Sequence, residues 1–310
     1  MNVYDLLVIL MEKRLSIVYK AQETYDGAGV KLKRVFGGMR SAHLTDPFLL
    51  LDNFGSSNPE DYLMGFPWHP HRGIETVTYM LHGTVEHEDS EGNKGVIRPG
   101  ELQWMTAGSG VYHQEMPKPF EDKIDMLRSR TVSGFQLWIN LPANLKMSRP
   151  AYRSIKPQSV PSISLDEGGV VKVIAGKYKQ YEGALNEEGL RASNYIEPTY
   201  LDVNLAPEAT FSYSVKQGFR VIIYPFIGYG SVNRVRMDSY QAYVLSEEGE
   251  DINIKAGETG VRFLLLAGRP IKERIAWYGP IVMNTQEQLE HAFLELANGT
   301  FIKHKEPEFL

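Results

Sequence analysis

Residues 66–83 read FPWHPHRGIETVTYMLHG and combine a strand-like run with a closely spaced histidine pair. Its second half, from Thr76 to Leu81, has the length of a strand and is rich in β-branched and aromatic residues. Its first half places His69 and His71 on either side of Pro70. Side chains two positions apart on a strand point to the same face, so the two imidazoles would project side by side. Because proline cannot donate a backbone hydrogen bond, the pair is expected at the start or the edge of a sheet.

Runs of the same kind recur through most of the chain and are separated by Gly, Pro, Asn and Asp. Closely spaced strands of this composition are typical of β-sandwiches and barrels, and not of alternating β and α units. The sequence therefore predicts an all-β fold. The further predicted strands include Phe48 to Leu51, Val170 to Ala175, Tyr200 to Leu205, Arg220 to Ile227 and Arg262 to Leu266.

One helix is predicted, over residues 286–298 near the end of the chain. Thr285 and Gln288 can form a capping box at its start, and Gly299 suits the left-handed residue that often follows a helix. Its apolar side chains have the i, i+3, i+4, i+7 spacing of one helix face. They are Leu289, Ala292, Phe293 and Leu296.

The composition limits both the class of function and the kind of metal site. A length of 310 residues suits two domains of about 150 residues each. A net charge of −5 and a pI near 6.0 argue against direct nucleic-acid contact, which usually needs a basic face. The chain has no cysteine, so disulfides, thiolate ligands and cysteine nucleophiles are excluded. Any metal ion must be held by histidine and carboxylate.

The proline-rich stretch from Pro142 to Pro161 is the expected domain boundary. The apolar run from Leu6 to Leu10 is too short to cross a bilayer and lacks the flanking pattern of a secretory signal, so we expect a cytoplasmic protein without a membrane partner. Met11 offers an alternative start. The expected organisation is an N-terminal extension at 1–10, a metal-binding domain at 11–145, a metal-free domain with the helix at 146–299, and a tail at 300–310.

A second pair of ligating side chains repeats the two-residue spacing of the histidine pair. His113-Gln-Glu115 would place an imidazole and a carboxylate on one face of a strand. Together with His69 and His71 this makes three nitrogen ligands and one oxygen ligand, a set that suits Fe, Mn, Co, Ni, Cu or Zn. By contrast, His87 lies among charged residues close to a glycine turn, and a solvated hairpin is expected there.

Several motifs of the chain resemble those of the pirin family. They are the stretch at 66–83, Glu86-His-Glu-Asp89, Gln103-Trp-Met-Thr-Ala-Gly108, His113-Gln-Glu-Met-Pro117, Gln136-Leu-Trp-Ile-Asn-Leu141 and Gly279-Pro-Ile-Val-Met-Asn284. The resemblance implies a bicupin: two cupin barrels (double-stranded β-helix, or jelly-roll) that face each other, with a C-terminal helix.

The resemblance also implies the ligand set. It assigns metal ligation to His69, His71, His113 and Glu115, whereas the wider cupin pattern would nominate Glu75 in place of Glu115. One divalent ion per chain is expected, with Fe²⁺ the first choice and Mn, Co, Ni, Cu or Zn as alternatives. The second barrel is expected to be metal-free, because serine and lysine stand where the first barrel has its histidine pair.

Two functions follow from the resemblance. Pirin-like proteins resemble quercetinases, which open the heterocycle of a flavonol with O₂ and release carbon monoxide, and Glu115 would then act as ligand, base or both. The substrate would be a small planar aromatic molecule. The apolar residues expected either to line its cavity or to form the core of the barrel are Phe54, Met64, Phe66, Trp68, Trp104, Met105 and Tyr112. The alternative is a metal-containing regulatory protein, a transcription cofactor or a modulator of a metabolic enzyme, that acts through a protein partner. The charged loop at 118–133 is expected to be a solvated insertion or a cover for the cavity.

Overall fold

The computed structural model describes residues 11–119, 130–184 and 193–304 of the chain. The expected extension at 1–10, most of the loop at 118–133 and the end of the tail lie outside the described residues. The strands are β1 (Leu15–Lys20), β2 (Gln22–Asp26), β3 (Val30–Gly37), β4 (Phe48–Ser56), β5 (Phe66–His71), β6 (Ile74–His82), β7 (Thr84–Asp89), β8 (Lys94–Ile97), β9 (Leu102–Thr106), β10 (Val111–Lys118), β11 (Val132–Asn140), β12 (Ala151–Ile155), β13 (Ser162–Ser164), β14 (Gly169–Ala175), β15 (Lys177–Tyr178), β16 (Tyr181–Glu182), β17 (Thr199–Leu205), β18 (Thr210–Ser214), β19 (Arg220–Val232), β20 (Val235–Asp238), β21 (Gln241–Leu245), β22 (Asp251–Gly268), β23 (Ala276–Tyr278) and β24 (Ile281–Met283).

Among the described residues the helices are few and short. They are α1 (Met39–Thr45), α2 (Ser193–Ile196) and α3 (Gln286–Ala297), and two 3₁₀ turns lie at Pro59–Asp61 and Pro157–Ser159. The prediction of a mainly β fold is therefore confirmed, and each of the strands predicted from the sequence falls within an observed strand. No helix among the described residues has the length and apolar character needed to cross a membrane.

The chain divides into two compact units, and each unit is built from separate segments. The first unit contains the described residues of 22–43, 48–157 and 271–304, and the second unit those of 11–21, 44–47 and 158–270. A single division of the chain at 145/146 does not describe these units. The N-terminal residues 11–21 belong to the second unit, and the C-terminal residues 271–304 belong to the first. Hydrophobic alternation shows that a terminal segment is a strand, but it does not show which sheet edge the strand joins.

Two antiparallel sheets form most of the first unit. One has seven strands in the order β12-β9-β6-β11-β4-β3-β2, and the other has four in the order β5-β10-β7-β8. Apolar side chains of both sheets, such as Leu32, Met80, Val85 and Ile97, meet in one core cluster. This core fixes the positions of the strands on which the polar side chains of the unit lie.

The second unit is organised around a nine-stranded antiparallel sheet. The main strand order is β1-β21-β19-β22-β17-β14-β13, with β18 paired to β22 and β20 paired to β19. Strand β1 adds to this sheet through pairing with β21. The core combines aliphatic and aromatic side chains, with Val203, Ile223, Phe263 and Leu265 fully buried.

The C-terminal segment of the first unit packs against the strand that carries the histidine pair. Helix α3 begins with the predicted capping box of Thr285 and Gln288, and Gly299 after its end has a φ of +69°, so both predictions are confirmed. Next to the histidine pair, Gly73 has a φ of +78°, and a Cβ atom there would lie 1.9 Å from the carbonyl oxygen of Val282. Only glycine permits this close approach of β24 to the end of β5.

Candidate metal centre

Two antiparallel strands of the four-stranded sheet carry the predicted ligands. Strand β5 is the edge strand of this sheet, which confirms the position expected for a strand that contains Pro70. Strand β10 pairs with it in a register that sets His113 opposite His69 and Val111 opposite His71. The neighbouring strand thus brings a third imidazole beside the histidine pair.

The three imidazoles converge on one point. Their ring centroids lie 4.8 Å apart for His69 and His71, 4.3 Å for His69 and His113, and 4.9 Å for His71 and His113. The Nε2 atoms of His69 and His71 are 3.1 Å apart, and one ring nitrogen of each histidine lies within 4.8 Å of the others. Within residues 11–119, 130–184 and 193–304, these histidines are the one group of three or more ligating residues close enough to share an ion.

Hydrogen bonds fix which ring nitrogens face the centre. Nδ1 of His69 lies 2.8 Å from the carbonyl oxygen of Pro67, and Nδ1 of His71 lies 3.1 Å from that of Pro280. A carbonyl oxygen can only accept, so each Nδ1 carries the proton and each Nε2 presents its lone pair. Carbonyl partners of this kind are usual for histidines that bind metals.

Burial keeps the imidazoles neutral. It lowers the pKa of His69, and it lowers the pKa values of His71 and His113 well below the usual range, with neighbouring imidazoles adding to the effect. The neutral imidazole is the form that binds a metal ion. At neutral pH these side chains therefore present lone pairs and no competing positive charge.

The unsatisfied nitrogen atoms test whether a metal ion fits the site. Nε2 of His113 is buried and has no hydrogen-bond partner among the described residues, which is rare for a buried polar atom. The Nε2 lone pairs of His69 and His71 face each other at 3.1 Å without a proton between them. Two nitrogens bound at right angles to one ion at about 2.1 Å would lie about 3 Å apart, so the histidines fit a transition metal.

Glu115 lines the same cavity as His69 and His71. Its Oε1 accepts a hydrogen bond of 2.7 Å from the hydroxyl group of Thr78 on β6. Burial raises the pKa of Glu115 to about 7, and the Thr78 hydrogen bond opposes this rise. A carboxyl group with a pKa near neutrality can take up or release a proton under working conditions.

Glu75, the other carboxylate indicated by the cupin pattern, has different surroundings. It is fully buried on β6, where one oxygen accepts from Nε1 of Trp104 at 3.0 Å and the other from Oγ1 of Thr106 at 2.7 Å. It is not among the residues that line the cavity. The structure thus gives Glu75 two buried donors and places Glu115 at the cavity that His69 and His71 also line, but it does not bring a carboxylate oxygen of Glu115 close enough to join the group of three histidines.

A cavity of about 690 Å³ lies against the histidines. Of the apolar residues expected to line it, Phe54, Phe66 and Trp68 do so, and the other expectations are wrong. Every residue of β9 is buried, so alternation does not distinguish a lining residue from a core residue on that strand. The four expected residues that lie outside the lining are Met64, Trp104, Met105 and Tyr112.

Sequence reasoning missed much of the polar and aromatic lining. The missed residues lie on strands that are distant in the sequence, so only the pairing of those strands brings them together. Trp138 contacts the ring of His71 with centroids 4.9 Å apart, and Trp277 lies beside Trp138 at 6.0 Å. The missed lining residues include Arg34, Asp52, Thr78, Gln136, Trp138 and Trp277.

His87 corrects another expectation, because its side chain is only 7% exposed and does not lie in a solvated hairpin. It pairs with Glu115 across β7 and β10 and with Gly95 across β7 and β8. A Cβ atom at Gly95 would lie 2.6 Å from Nε2 of His87, so the glycine leaves room for the ring. The hydroxyl group of Tyr152 lies 2.7 Å from Nδ1 of His87. The two-residue spacing from Val85 to His87, which places both side chains on one face of β7, was the signal for this position.

Comparisons with known proteins agree with this architecture. The family model described as Pirin matches residues 29–139, and the model described as the Pirin C-terminal cupin domain matches residues 200–302. A Thermoplasma acidophilum protein named "Putative quercetin 2,3-dioxygenase Ta0133" is 48% identical over 258 residues, which cover 82% of this chain and 98% of that protein.

Solved structures give the same result. The crystal structure of a quercetin 2,3-dioxygenase from Acinetobacter baumannii has a TM-score of 0.83 at 32% identity, over 94% of this chain and 98% of that one. A bacterial pirin from Escherichia coli, solved in complex with nickel(II), has a TM-score of 0.61 at 19% identity over 82% and 98%, a likeness that concerns the fold. Both parts of the chain match pirin models, and a relative of high identity is matched over almost its whole length. The chain belongs to the pirin family, and its fold is the predicted mainly β bicupin with a C-terminal helix.

Proposed function

We propose that this chain is a metal-dependent dioxygenase that cleaves a flavonol, or a similar planar enediol, with O₂. His69, His71, His113 and Glu115 hold one divalent ion in this proposal, and Glu115 also moves the substrate proton. The observation that carries the proposal is the convergence of three neutral imidazoles, among them His113 with its unsatisfied buried Nε2, beside a cavity that His69, His71 and Glu115 line. The names of the Thermoplasma and Acinetobacter proteins support the reaction class.

The side chains around the cavity have separable tasks in this reaction. A bound divalent ion supplies Lewis acidity, which lowers the pKa of a substrate hydroxyl group. Glu115 accepts the proton of that hydroxyl; in the metal-free chain, burial raises the pKa of its carboxyl group to about 7. Thr78 holds the carboxylate through its hydrogen bond of 2.7 Å. The aromatic rings of Phe66 and Trp138 exclude water and offer flat surfaces to a planar substrate.

The expected ion is Fe²⁺, since a set of histidine nitrogens and one carboxylate with open positions is typical of non-haem iron oxygenases. The same donors accept Mn, Co, Ni, Cu or Zn, and the E. coli pirin of the same fold was solved with nickel(II). The cytoplasmic location stays a prediction from the sequence.

Aerobic turnover of quercetin tests the proposal. The full chain is freed of metal, reconstituted separately with Fe, Mn, Co, Ni and Cu, and mixed with quercetin while flavonol absorbance and released carbon monoxide are followed. We expect turnover with at least one metal, and loss of both turnover and bound metal in His69→Ala and His113→Ala. His43→Ala is the matched control, because His43 is exposed on α1 and lies outside the cavity lining.

The contrary results are equally specific. Absence of turnover with all five metals would contradict the dioxygenase and favour the regulatory alternative, which needs a protein partner. Turnover that survives in His113→Ala would contradict the assignment of this site. A normal metal content in His113→Ala, measured by elemental analysis beside the His43→Ala control, would contradict the ligand set without any reference to activity.

A further inference from the structure

A row of polar side chains crosses the seven-stranded sheet along one wall of the cavity. The register pairs Arg34 on β3 with Asp52 on β4, Asp52 with Gln136 on β11, and Gln136 with Thr78 on β6. All four line the cavity. Residues directly opposite each other on neighbouring strands share a face, so the four side chains form one continuous strip. Neighbouring members of the strip are hydrogen-bonded, Arg34 to Asp52 and Thr78 to Gln136, so their burial is not costly.

One end of this strip is tied to the metal centre. The hydroxyl group of Thr78 donates to Oε1 of Glu115 at 2.7 Å and lies 2.6 Å from Oε1 of Gln136. A hydroxyl carries one proton, so the two oxygens compete for it, and the carboxylate is the stronger acceptor when it is charged.

The other end of the strip is a three-residue charge cluster of Asp26, Arg34 and Asp52. The guanidinium group donates from Nε and Nη2 to the two oxygens of Asp52, at 2.9 and 2.8 Å, and from Nη2 to Asp26 at 2.6 Å. Asp52 is buried, whereas the side chains of Arg34 and Asp26 remain 32% and 50% exposed. Two carboxylates and one guanidinium give the cluster a net charge of −1, and all three residues line the cavity.

The cluster has the hydrogen-bonding capacity to bind a neutral hydroxyl group. The half-exposed carboxylate of Asp26 can accept a hydrogen bond from a ligand hydroxyl, and no described residue accepts from Nη1 of Arg34, which can donate to a ligand oxygen. A hydroxyl group can make both bonds at once. A ligand carboxylate can only accept hydrogen bonds, and the net negative charge of the cluster would repel it.

We propose that the Asp26–Arg34–Asp52 cluster is a specificity subsite that accepts an uncharged hydroxyl group of the substrate and rejects a carboxylate. The proposal rests on the proposed function, in which the enediol end of the substrate lies at the histidines. Three strand spacings of about 4.8 Å separate β3 from β6, so the strip is roughly 14 Å long, more than a single aromatic ring can span. The substrate class is therefore a fused or linked polycyclic aromatic that carries an enediol at one end and a neutral hydroxyl at the other.

Three ligands that differ at one position test this subsite. They are p-terphenyl-3,4-diol, p-terphenyl-3,4,4″-triol and 3,4-dihydroxy-p-terphenyl-4″-carboxylate, each long enough to span the strip. Calorimetric titration of the metal-free full chain measures binding without turnover, so the result does not depend on the metal or on the oxygenase reaction. We expect the triol to bind several-fold more tightly than the diol, and the carboxylate to bind more weakly than the diol.

The variant Asp26→Asn removes one negative charge from an exposed position. We expect it to tighten binding of the carboxylate by about 3- to 10-fold relative to the diol, the size expected when one charge a few ångströms away is removed. Asp238→Asn is the matched control, because it makes the same change in net charge at an exposed aspartate that does not line the cavity.

Equal affinities for the triol and the carboxylate in the unmodified chain would overturn the proposal. An unchanged ligand preference in Asp26→Asn, or the same shift in Asp238→Asn, would also overturn it. Absence of binding by all three ligands would show that the strip does not form a binding wall. None of these results bears on quercetin turnover, whose failure would instead contradict the dioxygenase proposal.

Discussion

Arg72 and Glu295 form an ion pair of 2.7 Å that joins helix α3 to the residue next to His71. The guanidinium group is almost completely buried, and it also donates to the carbonyl oxygens of Ser109 at 2.6 Å and Phe301 at 2.8 Å. Helix α3 thus holds in place the residue that directly follows strand β5. The first residues of the predicted tail belong to this arrangement, because Phe301 is buried and its carbonyl oxygen accepts from Arg72.

Removal of the carboxylate partner should destabilise the first unit. Glu295→Ala leaves the buried guanidinium group of Arg72 without its counter-charge, and removal of one partner from a buried pair costs about 3 kcal/mol or more of unfolding free energy. Denaturant unfolding of the metal-free chain measures this loss. Glu290→Ala, at an exposed position of the same helix, is the control and should change stability by less than about 0.5 kcal/mol. Equal losses in the two variants would show that the pair has no special role.

The same carboxylate predicts a pH dependence. Burial alone would raise the pKa of Glu295, but hydrogen bonds from Lys303 and Arg72 outweigh it and lower the pKa below the ordinary 4.5. The folded state therefore binds this proton less readily than the unfolded state, so its contribution to stability is complete above about pH 4.5 and is lost as the pH falls through the lowered pKa. Relative to Glu295→Gln, the unmodified chain should lose unfolding free energy below pH 4.5 and show a constant difference above it. A constant difference across the acid range would contradict the shift.

The Thr78 hydroxyl should be necessary for the position of the Glu115 carboxylate. Thr78→Val keeps the shape of the side chain but removes the 2.7 Å hydrogen bond. Loss of a partner that orients a ligand typically lowers metal affinity about 10- to 100-fold, and we expect a decrease in that range. Thr78→Ser retains the hydroxyl group and should bind metal like the unmodified chain. A competitive chelator titration distinguishes the two, and equal affinities for both variants would contradict the orienting role.

Local sequence patterns were sufficient for the three histidines. The two-residue spacing of His69 and His71 set both side chains on one face, and the proline between them indicated a sheet edge. The six predicted strands followed from their length and composition, and helix α3 followed from periodicity. These features depend on neighbours within one element, and the physics of such an element can be read from the sequence alone.

Features that depend on register could not be predicted. Arg34, Asp52 and Gln136 lie opposite one another only because β3, β4 and β11 are neighbours, and alternation within a strand does not specify its neighbours. His87 was missed because its charged surroundings suggested exposure, whereas the missing side chain of Gly95 across the sheet leaves space for its ring. The exchange of chain ends between the two units is likewise a matter of pairing between distant segments.

The choice between two buried glutamates as the oxygen ligand can be decided by two isosteric variants. Glu115 faces the cavity of the histidines, whereas both oxygens of Glu75 accept hydrogen bonds from neighbouring side chains. Glu115→Gln should lower metal affinity by more than the roughly 10- to 100-fold typical of residues that only orient a ligand, because the charged donor itself is lost. Its effect on the unfolding free energy of the metal-free chain should be small, since burial already makes the charged form costly.

Glu75→Gln should show the reverse pattern. The amide retains one acceptor oxygen but turns an N–H₂ group toward a buried donor, either Nε1 of Trp104 or the hydroxyl of Thr106. An unsatisfied buried group costs about 1–3 kcal/mol of unfolding free energy, while metal affinity should remain within a few-fold of the unmodified chain. Chelator titration and denaturant unfolding of both variants separate the two effects. A large loss of affinity in Glu75→Gln with normal binding in Glu115→Gln would assign the ligand to Glu75, and the cavity-facing position of Glu115 would then serve proton transfer alone.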